Sequence, residues 1–538
     1  MNKNNLPIYF SIAVVFGILI GTFFSNGNSG NFISKNSSSE KKIKRLIDYI
    51  QSDYVDNVNT DELLDGAIKE MLGKLDPHSV YIPKENLQLV TENMQGNFVG
   101  IGVQFRKISD TITVISPIKG GPSIKKGIKA GDRILMADND TLYGKKLTTS
   151  KIMKALKGKP DTKVNVKIYR KTTDSIFNVT INRSKINIKS VDVAYMLNDS
   201  IGYIKLDRFA RNTYREFKTS LDGLLTEGMT DLVLDLRGNG GGFIDIANSI
   251  VDEFLEDNKL IVFTKNNKGD INESFATEKG DFEKGGLYVL IDENSASASE
   301  IVAGALQDND KGIIIGRRSF GKGLVQQEID LGDGSAVRLT TARYYTPTGR
   351  SIQKPYTKDK GFSNYTSDIK NRYSNGELFN KDSIKTIDSL KFTTPKGKIV
   401  YGGGGIIPDH FVSVDTSDYL PTIFFKPLND FAFNYVDNNR KDLENTSIDD
   451  FIQNFDKNNK ENKEYKGNTS LLEIDQRNIW WEKYASLTAE LELNALPENL
   501  KNEKLDEITA QPLLNYLVAL SYQRGNIQFS DTTNLNEV

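Results

Sequence analysis

The chain has 538 residues, of which 38% are hydrophobic and 26% charged, with a formal net charge of −2. That length exceeds one ordinary core and asks for roughly three or four domains, and the near-neutral balance offers no basic excess for nucleic acid. The absence of cysteine excludes disulfides, thiolate catalysis and thiolate metal sites, and suits an oxidising compartment; with only His78 and His410, a histidine-based metal site has little to work with.

Residues 1–6 are a short tail. Residues 7–24, "PIYFSIAVVFGILIGTFF", form an uncharged apolar stretch just long enough to span a bilayer as a helix. No A-x-A-type cleavage site follows, which favours an uncleaved anchor over a removed signal peptide. A polar tether, 25–39, comes next. Residues 40–95 predict a helical segment: Ile43, Leu46, Ile47, Ile50 and Tyr54 recur at helical spacing, and a second helix starts from a cap at Thr60 or Asp61. Residues 96–185 change character. "GNFVGIGVQF", "TITVISPI" and "KVNVKIYR" alternate like short strands around a turn-rich connection, "GGPSIKKGIKAGDRIL", and a short helix, "TTSKIMKALKG". This is a small, mostly β module.

From 190 to 414 strands alternate with helices. "DLVLDL", "LYVLI" and "GIIIG" read as buried strands, and "FIDIANSIVDEFL" and "SEIVAGALQ" as helices. Such alternation predicts βαβ units and a largely parallel sheet, whose sites form at the carboxyl ends of the strands. Residues 355–396 are polar and read as a surface insertion. Residues 415–538 read as a helical extension, with helices at "IWWEKYASLTAELELNAL" and "EITAQPLLNYLVALSYQR".

Two strand ends carry candidate chemistry. "IDENSASASE" places serines at 295, 297 and 299 where a strand meets a helix. A helix N-terminus stabilises a developing anion, so a nucleophile fits there; plain helix caps fit too. "RGNGGG" at the neighbouring strand end supplies backbone free of side chains, either for close approach of a substrate or as a tight turn. With histidine scarce, the candidate base is Lys322 in "GRRSFGKGLVQQ". A free lysine titrates near pH 10.4, so a base working at neutral pH needs a drop of about 3 units, which apolar burial can supply. Gln326 would orient its amine; the alternative is an exposed turn lysine. "GRRSFGK" also fits the start of a phosphate-binding G-x-x-x-x-G-K-[ST] loop, but Gly323 stands where Ser or Thr is required, and a strand pattern follows instead of a helix.

Five separated motifs, "GYIKLDRF", "LDLRGNGGG", "ENSASASEIVAGAL", "GRRSFGKGLVQ" and "ARYYTPTGRSIQ", together resemble the carboxyl-terminal processing, or tail-specific, proteases, serine peptidases of the S41 type. The resemblance covers residues 40 to 355 and resumes at "GGGGIIPDHF". It implies a protease core of the Clp protease–crotonase type with an embedded PDZ domain at 96–185. It further implies Ser297 as nucleophile, Lys322 as general base, Gln326 as its orienting partner, and an oxyanion hole from the N–H of Ala298 and a loop glycine, taken as Gly241. "NGGG" stands where "NPGG" or "NSGG" is common. His78 and His410 match no catalytic position and are taken as structural or exposed. The PDZ-like module implies capture of a free C-terminus by the loop "FVGIGV", with Phe98, Val99, Gly100 and Ile101 near the carboxylate; an ordinary strand start with glycine bends is the other reading.

The expectation is therefore a serine endopeptidase of the cell envelope, anchored in the inner membrane by residues 7–24 and facing the periplasm. It cleaves proteins near free, nonpolar C-termini through an acyl-enzyme. It needs no metal or other cofactor and binds no nucleic acid; a homo-oligomer or an adaptor partner is left open. Two rivals stand beside it: a non-catalytic PDZ scaffold that binds tails, and an acyl-CoA enzyme on the same core fold.

Overall fold

The computed structural model describes residues 38–108, 110–357, 362–414 and 425–443. The apolar stretch 7–24 lies outside them, as do the helices expected at 479–496 and 507–524. Among the described residues no helix is long and apolar enough to cross a membrane.

The chain divides after Leu75. The first unit holds α1 (Ser38–Asp53) and α2 (Thr60–Leu72). The cap of α2 falls on Asn59, ahead of the two residues expected: its Oδ1 accepts from the N–H groups of Asp61 (3.1 Å) and Glu62 (3.4 Å). A short amide side chain reaches donors that the first helical turn leaves unpaired.

The second unit starts at Asp76 and runs through β1 (Val80–Ile82) and α3 (Lys84–Gln95). Gly96 ends α3 at φ 69°, a left-handed conformation that glycine adopts without strain. A β module follows, with β2 (Asn97–Gly100), β3 (Val103–Ile108), β4 (Thr111–Pro117), β5 (Arg133–Ala137), β6 (Asp140–Thr141), α4 (Thr149–Leu156), β7 (Lys163–Arg170), β8 (Ser175–Asn182) and β9 (Ser184–Asn187). Its sheet has the order β3-β4-β5-β7-β8, with β6 on β5. Along β7 Val164, Val166 and Ile168 turn inward and Lys163, Asn165 and Lys167 outward, the period of a half-buried strand. Entry strand β2 pairs antiparallel with exit strand β9, from Asn97↔Asn187 to Gly100↔Ser184, so the module is closed where the chain enters and leaves it.

The α/β core comprises β10 (Val191–Met196), β11 (Ile201–Leu206), α5 (Thr213–Thr226), β12 (Asp231–Asp235), α6 (Ile244–Asp252), β13 (Leu260–Asn266), β14 (Ile271–Phe275), β15 (Gly286–Ile291), α7 (Ala298–Asp308), β16 (Ile313–Gly316), β17 (Leu324–Asp330) and β18 (Ala336–Tyr345). After β19 (Lys391–Thr393) and β20 (Ile399–Tyr401), which pair only with each other, comes β21 (His410–Phe411), and the six-stranded sheet has the order β10-β11-β12-β15-β16-β21. The pairings β11–β12, β12–β15 and β15–β16 are parallel. Three consecutive carboxyl ends, at Asp235, Ile291 and Gly316, therefore face the same way. Every residue of α7 is buried, and its polar residues, Ser299, Glu300, Gln307 and Asp308, are paired with other polar groups inside the protein. A five-stranded sheet, β1-β18-β13-β14 with β17 on β18, brings the segment after Asp76 beside the strand that follows Lys322.

The insertion 355–396 departs from the surface reading. It buries Phe362, Tyr365, Arg372, Glu377 and Leu378, around the short helices α8 (Ser363–Thr366) and α9 (Asp368–Ser374). Its polar residues face inward because they pair with other polar groups. From the extension, α10 (Phe425–Leu443) sets Asp437 against Arg133 (2.6 Å) and Lys171 (2.9 Å) of the β module.

Candidate active site

The three serines separate by environment. Ser295 is fully buried; its Oγ donates to Leu236 O at 2.8 Å and accepts from Asp292 N at 2.9 Å. Ser299 is fully buried and donates to Asn239 O at 2.8 Å. Ser299 fastens the β15–α7 turn to the "RGNGGG" loop, and Ser295 fastens it to Leu236 just ahead of that loop. Ser297 is partly exposed and has φ 56° and ψ −111°, outside the regions that a non-glycine residue favours. Such strain persists only where surrounding bonds enforce it. Here they are the ties at Ser295 and Ser299 and a bond from Ala296 N to Asn239 O at 3.0 Å. The turn presents the Ser297 hydroxyl at the N-terminus of α7. Among the described residues the Ala298 N–H, next in the chain, donates to no other group.

Gly241 lies directly against this turn. It has φ 98°, and a Cβ there would come within 2.6 Å of Ala296 O and 2.8 Å of Ser297 Cβ, so no other residue fits. Its N–H, however, donates to Asn239 Oδ1 at 2.9 Å. The Gly241 N–H can join an oxyanion hole only by leaving that partner.

Lys322 follows β16 on the loop 317–323. Its Nζ donates to Gln326 Oε1 at 2.9 Å, and Gln326 Nε2 donates to the carbonyl oxygen of His78 at 2.5 Å. Burial pulls the lysine pKa below its ordinary value; Arg338 adds to this, against Glu300 and Asp76. Among the described residues no hydrogen bond joins Ser297 Oγ to Lys322 Nζ, whose partner is Gln326.

Two residues not singled out in the sequence hold these groups. Glu300, fully buried on α7, accepts from Ser297 N (2.9 Å), Lys322 N (2.9 Å), Gly321 N (2.7 Å) and Ser319 Oγ (2.5 Å). Burial pushes its pKa up, but three N–H donors and a hydroxyl converging on its oxygens are the pattern of an ionised acceptor. Tyr344, 1% exposed, sets its hydroxyl 2.8 Å from Lys322 O and 3.1 Å from Ser297 O. The signal for Glu300 was present, since Ser297-x-x-Glu300 is a capping box.

His78 is closer to the site than its structural assignment implied. Its carbonyl anchors Gln326, and its Nε2 lies 2.6 Å from the Tyr365 hydroxyl. Burial, with Lys322 and Lys354 nearby and Asp76 opposing, lowers its pKa to about 4, so the ring is neutral at neutral pH. His410 is exposed on β21, paired in register with Ile315. Among the described residues no cluster of three or more His, Asp or Glu side chains is placed to hold a metal ion.

Of the four tail-binding candidates, Phe98, Gly100 and Ile101 line a cavity of about 210 Å³ between β3 and α4, with Phe105, Met153 and Leu156. Val99 does not line it; it pairs with Lys185 on β9. Gly102 turns the chain at φ 76°, where a Cβ would meet Ile186 and Pro122 at 3.1 Å. One wall comes from outside the β module, as Leu89, Glu92 and Asn93 of α3, and Glu92 is ion-paired with Lys157.

Peptidase family S41 matches residues 200–360, a PDZ domain 99–181, the N-terminal domain of activating protease CtpB 25–86, and a family of unknown function 426–479. A carboxy-terminal-processing protease of Bartonella bacilliformis is 37% identical over 313 residues, spanning 57% of this chain and 71% of that protein. A probable CtpA-like serine protease of Staphylococcus aureus is 33% identical over 338 residues, spanning 62% and 66%. Among solved structures, a photosystem II D1 C-terminal processing protease aligns with 25% identity over 70% of this chain and 88% of that one, at a TM-score of 0.37.

Proposed function

The chain belongs to the carboxy-terminal-processing proteases, peptidases of family S41, and on that premise we propose that it is a serine endopeptidase acting through Ser297 and Lys322 on proteins with free C-terminal tails. One observation carries this reading. Of three adjacent serines only Ser297 is accessible, strained and placed at a helix N-terminus, while the main chains of Ser297 and Lys322 share one buried carboxylate.

In the proposed reaction, neutral Lys322 takes the proton from Ser297 Oγ as it attacks the scissile carbonyl. The Ala298 N–H and a glycine of the 238–242 loop stabilise the oxyanion, aided by the dipole of α7. The lysine then returns its proton to the departing amine, which leaves an ester on Ser297. Water attacks that ester, with Lys322 again the base, and restores the hydroxyl. Gln326 keeps the amine aimed by accepting one of its N–H bonds. No cofactor enters this scheme. The tail docks beside β3, its carboxylate held by N–H groups of the 98–101 loop and its last side chain in the cavity of Phe98, Ile101 and Leu156. Residues 7–24 anchor the enzyme in the inner membrane, facing the periplasm.

The test is digestion of a casein-like protein by the full chain, with Ser297→Ala and Lys322→Ala beside it. Loss of cleavage in both, with unchanged folding by circular dichroism, is expected. A Ser297→Ala chain that still cleaves would return the tail-binding scaffold, with contaminating protease, to the front.

A further inference from the structure

Most of the insertion after Lys354 lies beyond residues 200–360, the stretch that matches the peptidase family, yet it reaches the loop that carries Lys322. Arg372 of α9 is 1% exposed. Its Nη1 donates to the carbonyl oxygens of Arg318 (3.0 Å) and Ser319 (2.8 Å), and its Nη2 to that of Phe320 (3.3 Å). One guanidinium thus serves three consecutive carbonyls that no strand or helix would pair. The rest of the loop is satisfied by the core. Gly321 O takes Lys354 N (2.9 Å), Lys322 O takes the Tyr344 hydroxyl (2.8 Å), and Gly323 N donates to Gln353 Oε1 (2.8 Å). Asp368 holds Arg372 at 3.0 Å and Lys354 at 3.1 Å, and Glu377 binds Arg318 through two bonds of 2.6 and 2.7 Å.

The same segment reaches the base from its other side. The Tyr365 hydroxyl meets His78 Nε2 at 2.6 Å, His78 O receives Gln326, and Gln326 receives Lys322. The Tyr365 ring packs edge-on to Phe320, and the Lys354 ammonium lies over both rings, 3.7 Å from the Phe320 centroid and 4.2 Å from that of Tyr365.

We propose that this insertion is a brace for the catalytic base: Arg372 fixes the backbone of the Lys322 loop, and Tyr365 fixes Gln326 through His78. Both are positioning residues, and the inference rests on Lys322 acting as base. Its physical content is that the loop has no regular structure of its own. Without Arg372, one buried and two part-buried carbonyls must find water, and water admitted there also reaches the lysine amine. The charged and titratable groups around that amine are Arg338 on β18, Glu300 on α7, and Asp76 and His78 ahead of β1. None of them lies on the insertion, so its effect on the base runs through placement and dryness.

The experiment uses the full chain and compares Arg372→Met, Arg372→Lys and Tyr365→Phe with wild type. It reads active-site titration, kcat, KM, the pH profile of acylation, and hydrogen exchange at residues 319–323. Arg372→Met is expected to lower kcat per titrated site by roughly tenfold or more, with KM little changed, since small misplacements of a base cost that much. Its acid limb should move to higher pH as the lysine regains water, and exchange should quicken at Gly321 and Lys322 but not along α7. Arg372→Lys should recover part of each change, and Tyr365→Phe should lower kcat about three- to tenfold. A purely structural arginine would reduce the titrated fraction and leave kcat per site, the pH limb and loop exchange unchanged; that result overturns the proposal. If wild type shows no Ser297-dependent hydrolysis, the catalytic reading fails on its own, and unchanged loop exchange in Arg372→Met then overturns the brace separately.

Discussion

The Tyr344 hydroxyl stands 2.8 Å from the carbonyl oxygen of Lys322 and 3.1 Å from that of Ser297. On the opposite side Glu300 takes the N–H groups of the same two residues, each at 2.9 Å. The proposed nucleophile and the proposed base sit on different loops, and two buried side chains tie the main chains of those loops together. Tyr344→Phe should remove a buried hydroxyl bond and destabilise the fold by about 1–2 kcal/mol. Its kcat should fall with KM little changed. Denaturant melts and steady-state kinetics on the same preparation check this, and a stability loss with full kcat would assign Tyr344 to the fold alone.

Glu300→Gln is the harsher change. The amide presents N–H donors where three N–H groups and a hydroxyl already point inward, leaving buried donors unmatched. We expect cleavage to fall by on the order of a hundredfold or more, with a lower melting temperature. Activity near wild type would show that the two loops hold their places without the carboxylate.

Burial lowers the Lys322 pKa, so two pH effects follow. With Lys322 as the proposed base, the rate should rise with pH through the lowered lysine value, because only the neutral amine accepts a proton. Between the lowered folded value and the ordinary value near 10.4, the unfolded chain binds more protons, so this lysine's contribution to stability improves as pH rises through that window. Below the folded value the buried ammonium is a standing cost. Lys322→Met should therefore be more stable than wild type at neutral pH, and the difference should shrink toward alkaline pH. Equal stability of the two chains at every pH would mean the amine is not desolvated.

Neither histidine should act as a base. His78 serves Gln326 through its main-chain carbonyl, which any residue supplies, and its ring is neutral above about pH 4. His78→Leu should keep cleavage within about tenfold, and His410→Ala should leave it unchanged. Kinetics of the two variants decide this; loss of all cleavage in His78→Leu would point to a histidine base.

Tail recognition predicts a dependence on the substrate's end. Amidation removes a charge-assisted hydrogen bond of about 1.5–3 kcal/mol, so cleavage of an amidated substrate should slow roughly ten- to a hundredfold. Changing the substrate's N-terminus should not matter. Matched peptides with free, amidated and di-aspartate tails test this, and equal rates for all three would sink it.

How much of this was legible depends on whether a residue acts through its own chemistry or through its surroundings. The strand–helix alternation after Ile201 is written in the apolar runs, and the β module in the alternation of "KVNVKIYR". The choice among three serines was not written in their spacing. It follows from which of them the neighbouring carbonyls of Leu236 and Asn239 occupy. His78 could not be found from its type, since it contributes a carbonyl. Arg372 and Tyr365 sit in a polar stretch without periodicity, and their burial comes from partners more than forty residues away in sequence. The Gly241 N–H turns toward Asn239, a two-residue loop bond that the glycine pattern does not specify.

The central claim is that Ser297 carries the acyl group. Full-length wild type, Ser295→Ala, Ser297→Ala and Ser299→Ala, incubated with one tail-bearing substrate and quenched in acid, can be digested and examined by mass spectrometry for an esterified serine. The account predicts an acyl adduct on Ser297 in wild type, and in Ser295→Ala and Ser299→Ala in proportion to their folded fraction. It predicts none in Ser297→Ala, with cleavage lost by a factor on the order of ten thousand or more. An adduct on Ser295 or Ser299, or undiminished cleavage by Ser297→Ala, would contradict it.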